Sequence, residues 1–346
     1  MTLSDAFISQ AESCRRMGSP FMGQLLSLLA VAWPSDSALG RKVSTFRGDI
    51  GPAGHSIPLR IAGGLHALVL SNRAADLAAV YPPKKASDRI LRKTVLAAIE
   101  AHQDFLLDWI DSPPQTNEVR RSAALIAGVH VAVQHFDMPI YLSELGASGG
   151  LNMLWDHYAL EIEGQRFGAK TPAVLFTPQW QGPCPPHATP VIAERAGVDL
   201  NPLDPSHPDH LLRMMAYLWA DQPERIQMTR AAAAVPATRP VQGDAIDWLA
   251  PRLAQAPQGH MHLIQHSVAW QYFPAAVQDR GRALIEAAGA RATLQRPLAW
   301  LSMETEGDAT AKIGAALTLQ LWPGDLTIEL GRADFHGRWV NWTYTG

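Results

Sequence analysis

A chain of 346 residues, 47% hydrophobic and 18% charged, can bury a large core and exceeds the about 100 to 200 residues usual for one domain. Its 29 basic and 32 acidic side chains leave a formal charge of −3, so no overall positive field exists to hold DNA, RNA or anionic lipid by counterion release. Cys14 and Cys184 are too few for a disulfide framework or a thiolate metal site, and no apolar run reaches the about 18 residues needed to span a bilayer. The first residues, MTLSDAFISQAESCRRMG, read as an amphipathic helix and not as an export signal, so a cytoplasmic protein without a metal or a membrane partner is expected.

Residues 1–137 read as a helical domain. Apolar residues recur at helical spacing, as in Phe21, Leu25, Leu28 and Leu29 and again in Leu65, Leu68 and Val69. Breakers at 34–36, 48–58, 81–83 and 111–114 divide the stretch into about five helices, the last running from Ala123 to Val133. The pattern changes at Met138. Pro139 to Leu145 is a short apolar strand that meets a glycine loop, Gly146-Ala147-Ser148-Gly149-Gly150, and Leu151 to Tyr158 follows at helical spacing. Residues 159–190 interrupt the alternation with hairpin strands and a proline-rich loop, and read as an insertion.

Alternation then resumes with a strand at 191–200, helices at 207–220 and 223–234, a strand at 240–242 and a helix at 244–254. A strand at 262–266, a helix at 274–288 and a strand at 298–303 follow. The tail breaks the rule: Leu317 to Trp322, the turn Pro323-Gly324-Asp325, and Leu326 to Leu330 form a hairpin by period-2 patterning. The expected architecture is therefore α/β: a helical domain over 1–137 on the substrate side of a Rossmann-like domain over 138–346.

Glycines after a strand let a backbone approach a ligand closely. Glu144, two residues before the first glycine, stands where a carboxylate can face the ammonium group of an amino-acid-like cofactor. Asp199 ends the second crossover strand, where a carboxylate can accept from ribose hydroxyls. Asp244 ends the third, where it can accept from an adenine amine while the Ala245 N–H reaches a ring nitrogen. Each acid has a plainer reading, and Asp244 is well placed to cap the helix that follows. The same loop satisfies G-x-S-x-G, the nucleophile elbow of α/β-hydrolases, with Ser148 as nucleophile. Asp199, Asp204 or Asp244 and then His262, His266 or His336 would complete the order Ser, acid, His.

Taken together, Glu144, Gly146, Ala147, Gly149, Asp199, Asp244, Ala245 and the closing hairpin resemble the class I S-adenosylmethionine-dependent methyltransferases over residues 138–330. The resemblance implies a seven-stranded sheet and S-adenosylmethionine seated on Gly146, Ala147, Ser148 and Gly149, with Glu144 near its amino group, Asp199 on the ribose, and Asp244 and Ala245 by the adenine. It departs at the insertion and at the fourth strand end, Leu263 to Trp270, which lacks the acidic or Asn-Pro-Pro-Tyr site of several subfamilies. His266 and Tyr272 lie at the edge where a methyl acceptor, expected to be a small molecule, would sit. His266 can take a proton there, or be a buried, hydrogen-bonded histidine.

Over its whole length the chain also resembles a bacterial family of uncharacterised proteins, through Gln115-Thr116-Asn117-Glu118-Val119-Arg120-Arg121, Glu144 to Ser148, and Leu151-Asn152. In that polar cluster Gln115, Asn117 and Arg120 are candidates to bind substrate or cofactor. The plainer reading has Thr116 or Asn117 capping the helix at 123–133.

Overall fold

The computed structural model describes every residue except 52, 53, 116, 237 and 307–312. In chain order it forms α1 (Leu3–Arg16), α2 (Pro20–Ala32), α3 (Ala38–Val43), α4 (Ile57–Leu70), α5 (Ala75–Ala78), α6 (Asp88–Ala101), α7 (Gln103–Trp109), a 3-10 turn η1 (Val119–Arg121) and α8 (Ser122–His135). Then come β1 (Ile140–Leu145), the 3-10 segment η2 (Leu151–His157), β2 (Tyr158–Ile162), β3 (Gln165–Gly168), β4 (Val174–Phe176), β5 (Gln179–Gln181) and β6 (Ile192–Asp199). The remainder is α9 (Pro208–Ala216), α10 (Pro223–Ala233), β7 (Val241–Gln242), α11 (Ala245–Gln255), β8 (Met261–Ser267), η3 (Trp270–Tyr272), α12 (Ala275–Gly289), β9 (Leu298–Glu304), β10 (Ala315–Trp322), β11 (Leu326–Ala333) and β12 (Trp339–Trp342). The chain divides into two compact units, residues 1–116 with 206–227, and residues 117–205 with 228–346.

The first unit is helical. Helix α1 opens with a reciprocal capping box between Thr2 and Asp5, and α2 opens with Ser19 as cap and Pro20 in its first turn. Their apolar faces meet around Phe7, Leu25, Leu26, Leu29 and Leu65, all buried. The breakers fall where the sequence put them, but among the described residues seven helices stand before residue 111 where about five were expected up to Val133. Helices α3 and α5, of six and four residues, are too short to print a period, and α6 gives way to α7 at His102 without glycine or proline. Residues 206–227 belong to this unit although they connect two sheet strands. Gly63 of α4 seats the Tyr217 ring, which a Cβ would approach to 2.5 Å, and Asp221 accepts from Ser19 Oγ at 2.5 Å and Phe21 N at 2.9 Å.

The second unit is a mixed α/β fold on a nine-stranded sheet of order β5-β12-β11-β10-β9-β8-β1-β6-β7. Strands β7, β6, β1, β8 and β9 are parallel neighbours, while β9-β10-β11-β12 run antiparallel. The seven strands expected become nine because β12 pairs with β11 and the short β5 pairs in parallel with β12. The hairpin β2/β3 and the parallel β4 form a separate three-stranded sheet within the 159–190 stretch. Both β1 and β8 are buried along their whole length, as central parallel strands are.

Helix α8 joins this unit, so the sheet unit begins at residue 117 and not at 138. Its residues from Ser122 to Val133 are all buried, and a Cβ on Gly128 would stand 2.6 Å from Leu301 Cδ1 on β9. A helix apolar all round must be covered all round, and β9 and β10 of the large sheet together with η2, β2 and β3 do that. The helix expected at 151–158 is a 3-10 segment, because Tyr158 already begins β2 and its hydroxyl donates to Leu151 O at 2.9 Å. Among the described residues no helix is long and apolar enough to cross a membrane.

Candidate ligand site at the carboxyl end of the first parallel strand

In the parallel part of the sheet, β1 has its next crossover strand, β6, on one side and the later β8 on the other. This reversal of winding falls at the carboxyl ends of β1 and β8, the place where open α/β sheets take ligands. The glycine loop starts there. Gly146 has φ +67° and Gly150 φ +75°, and a Cβ on Gly146 would lie 2.5 Å from Ala269 Cβ on the loop after β8. Ala147 N donates to Val198 O at 3.0 Å and Ser148 N to Asp199 Oδ2 at 2.9 Å, which straps the loop to the end of β6. The other Asp199 oxygen accepts Asn201 N at 2.8 Å. Ser148 itself is held at φ +52°, and its buried Oγ has no hydrogen-bond partner among the described residues.

Glu144 is the penultimate residue of β1 and only 2% exposed, with Gln265 as its register partner on β8. One of its carboxylate oxygens, Oε2, is buried without a hydrogen-bond partner among the described residues. Burial pushes its carboxyl up to about 8, and the Asp199 charge pushes the same way, while Gln265 and Arg121 pull it back. An unpaired acceptor so deep in a fold is costly, and such groups mark places where something else is meant to bind.

The segment from Asn117 to Ser122 is fixed against these strand ends by bonds that the sequence did not announce. Asn117 Oδ1 accepts Leu151 N at 2.9 Å, so it caps η2, not α8 as its position suggested. Glu118 Oε1 accepts from Arg120 N and Nε, both at 3.2 Å, and Arg120 Nη2 is buried without a partner among the described residues. Arg121 reaches Ser267 O at the end of β8 at 3.0 Å and Phe335 O at 2.9 Å. A buried chain then runs from Ser122 Oγ to Asn152 Oδ1, from Gln265 Nε2 to Asn152 O, and from Trp155 Nε1 to Gln265 Oε1. Arg121, Asn152, Trp155 and Gln265 were missed. Arg121 and Asn152 stood within the motifs that carry the family resemblance, but Trp155 and Gln265 gave no signal.

Other expected site residues take plainer posts. Asp244 Oδ1 caps α11 by accepting Ile246 N and Asp247 N, both at 3.0 Å, and also receives Arg280 Nη2; Ala245 is the first residue of that helix. Gln115 lies in the helical unit, and Thr116 lies outside the described residues. Tyr272 is 64% exposed on η3, and no hydrogen bond of its hydroxyl to a described residue at these strand ends is seen.

Of the two readings the sequence left for His266, its bonds favour the packed histidine. Its Nδ1 lies 2.8 Å from Glu304 Oε1, its Nε2 accepts Trp300 Nε1 at 2.9 Å, and its ring stacks on Trp270. Both nitrogens are used. The same Glu304 accepts Ala269 N, Trp270 N and Gln271 N, and so holds the loop that touches Gly146. Burial alone would raise this carboxyl, but His266 and the amide N–H groups outweigh it and hold it below the usual range. The sequence offered no sign of Glu304.

Two of the three histidines that could serve a Ser148 elbow, His262 and His266, are also engaged. His262 Nε2 pairs with Ser143 Oγ at 2.9 Å, and burial, helped by Arg252, pushes its ring down to about 3. His266 is locked as described, and the Ser148 hydroxyl meets neither.

Among known protein families, the model of one described as uncharacterized protein conserved in bacteria (DUF2332) matches residues 4–342. No curated protein and no solved structure matches the chain.

Proposed function

We propose that this chain, which belongs to that family conserved in bacteria, binds S-adenosylmethionine at the end of β1 and transfers methyl groups to a small-molecule acceptor. One observation carries the reading: the buried Glu144 carboxylate with an unpartnered oxygen at the winding reversal of a parallel sheet. A primary ammonium group satisfies such an oxygen, and the cofactor has one.

In this reading Gly146, Ala147, Ser148 and Gly149 line the cofactor, Glu144 takes its amino group and Asp199 its ribose. Asp244 and Ala245 stand at the adenine end, with the cap bonds of Asp244 fixing their orientation. Asn117 and Arg120 face the substrate side. The bound sulfonium would supply an activated methyl group, so the protein's task is alignment and exclusion of water. No protein base is assigned, since both His266 nitrogens are engaged.

A second reading rests on Ser148, whose left-handed backbone and unpartnered Oγ suit a nucleophile elbow. Neither His262 nor His266 is left to serve it as base. Isothermal titration with S-adenosylmethionine and S-adenosylhomocysteine, run beside an active-site serine probe, separates the readings. Saturable binding without Ser148 labelling supports the cofactor site; labelling without binding hands the case to the hydrolase; neither makes this a catalytically silent fold.

A further inference from the structure

Glu144 is enclosed on every side by groups that leave one of its oxygens open. From β6 comes Asp199, a second carboxylate; from η1 comes Arg121, whose Nε and Nη1 donate to Phe335 O and Ser267 O. From β8 comes the neutral Gln265, which already donates to Asn152 O and accepts from Trp155. From β2 comes Tyr158, whose hydroxyl donates to Leu151 O and is pushed up by burial, so it is neutral too. An ionised carboxylate with an unsolvated oxygen beside another carboxylate is held at high cost, and a neutral acid is not.

We propose that Glu144 stands as a neutral acid in the ligand-free protein and ionises when a ligand's ammonium group reaches its open oxygen, so that uptake of a primary amine releases a proton. The proposal rests on the cofactor reading above for the identity of the ligand, but not for the state of the empty site. The balance is simple: the carboxyl O–H proton passes to solvent, the ammonium keeps its own protons, and a buried ion pair replaces a buried acid. The upward displacement of the Glu144 carboxyl to about 8 agrees with this. The site thereby selects for an amine, because a ligand without one leaves the acid neutral and gains nothing from it.

Titration calorimetry of the full-length protein at about pH 6.5, in two buffers of different ionisation enthalpy, counts the protons. S-adenosylhomocysteine is expected to release about one proton per molecule bound, and 5′-methylthioadenosine, which lacks the amino-acid end, none. Equal proton counts for the two ligands, or none for either, overturn the proposal while leaving the cofactor reading intact.

If neither ligand binds, the cofactor reading fails and the free protein decides. The urea midpoint of wild type should fall relative to E144Q as pH rises from about 5 to about 8, because the folded state alone holds the proton in that window. Parallel midpoints overturn the proposal. Should E144Q not fold, the infrared carbonyl band of a neutral carboxyl in wild type serves. Its loss only above about pH 7 supports the proposal, and its absence at about pH 6 overturns it.

Discussion

Two glutamates end neighbouring parts of the same sheet, and they are opposites. Glu304, at the end of β9, is saturated: three backbone N–H groups and His266 converge on it, and its carboxyl is held below the usual range. Glu144, at the end of β1, is more deeply buried, 2% exposed against 12% for the Glu304 side chain, yet keeps an unpartnered oxygen among the described residues, and its carboxyl is displaced upward. Burial is common to both, so burial does not separate structural from functional acids. Satisfaction does, because a fold that can close four bonds on one carboxylate has no need to leave another open.

The sharpest way to break this contrast is to remove the saturated member. Glu304→Ala strands three buried N–H groups and His266, and is expected to cost about 3 to 5 kcal/mol in urea unfolding. A loss below about 1 kcal/mol would mean that the cluster is no anchor. The pH dependence has a definite sign. A carboxyl held lower in the folded than in the unfolded chain contributes its full stability above the usual Glu range. That stability is lost as pH falls through the lowered folded value. Glu304→Gln should therefore flatten the acid limb of the stability curve. Glu144 has the reverse sign, since its raised carboxyl favours folding least at alkaline pH.

Smaller effects test whether the site acids differ in the same way. Asp199→Ala removes acceptors from Ser148 N and Asn201 N and should loosen the glycine loop, weakening S-adenosylhomocysteine binding by about 1 to 3 kcal/mol in calorimetry. Asp244→Ala removes a helix cap and should lower stability by about 1 kcal/mol. If Asp244→Ala weakens the ligand while leaving the thermal midpoint unchanged, its part in the site exceeds its part in the helix.

The saturated acid was illegible in the sequence and the open one was not, for a physical reason. Glu144 stands beside its glycines, so a strand followed by a turn announces it locally. Glu304 sits in the unremarkable run Ser-Met-Glu-Thr-Glu, and its donors lie 33 to 38 residues upstream. Only the parallel pairing of β8 with β9 brings them together. Asn117 shows the same limit, because its position before α8 suggested a cap there, yet its side chain caps η2, 34 residues away. The alternating strands of the sheet were readable from apolar runs and breakers. Strands β5 and β12, three and four residues long, gave no period to read, so the sheet is wider than its sequence suggested. The polypeptide between β6 and β7 read as ordinary crossover helices, yet it packs its Tyr217 and Asp221 into the helical unit.

The loop that joins the two acids carries the finest test. Val268, just after β8, has φ +52°, a conformation that costs a β-branched residue about 1 to 3 kcal/mol. It is held there by Val268 N donating to Met303 O at 2.9 Å and by the three N–H groups that follow onto Glu304. Val268→Gly relieves the strain, while the added freedom of the unfolded chain takes back about 0.4 to 1 kcal/mol. A half-buried side chain is also lost, so the net change in urea unfolding should be a small gain, about 0.5 kcal/mol. In a Glu304→Gln background the gain should shrink, because a loop no longer clamped can relax around valine by itself. If the two changes add without coupling, the strain at Val268 is imposed by the β8 end alone, and Glu304 has no hold on the loop that touches Gly146.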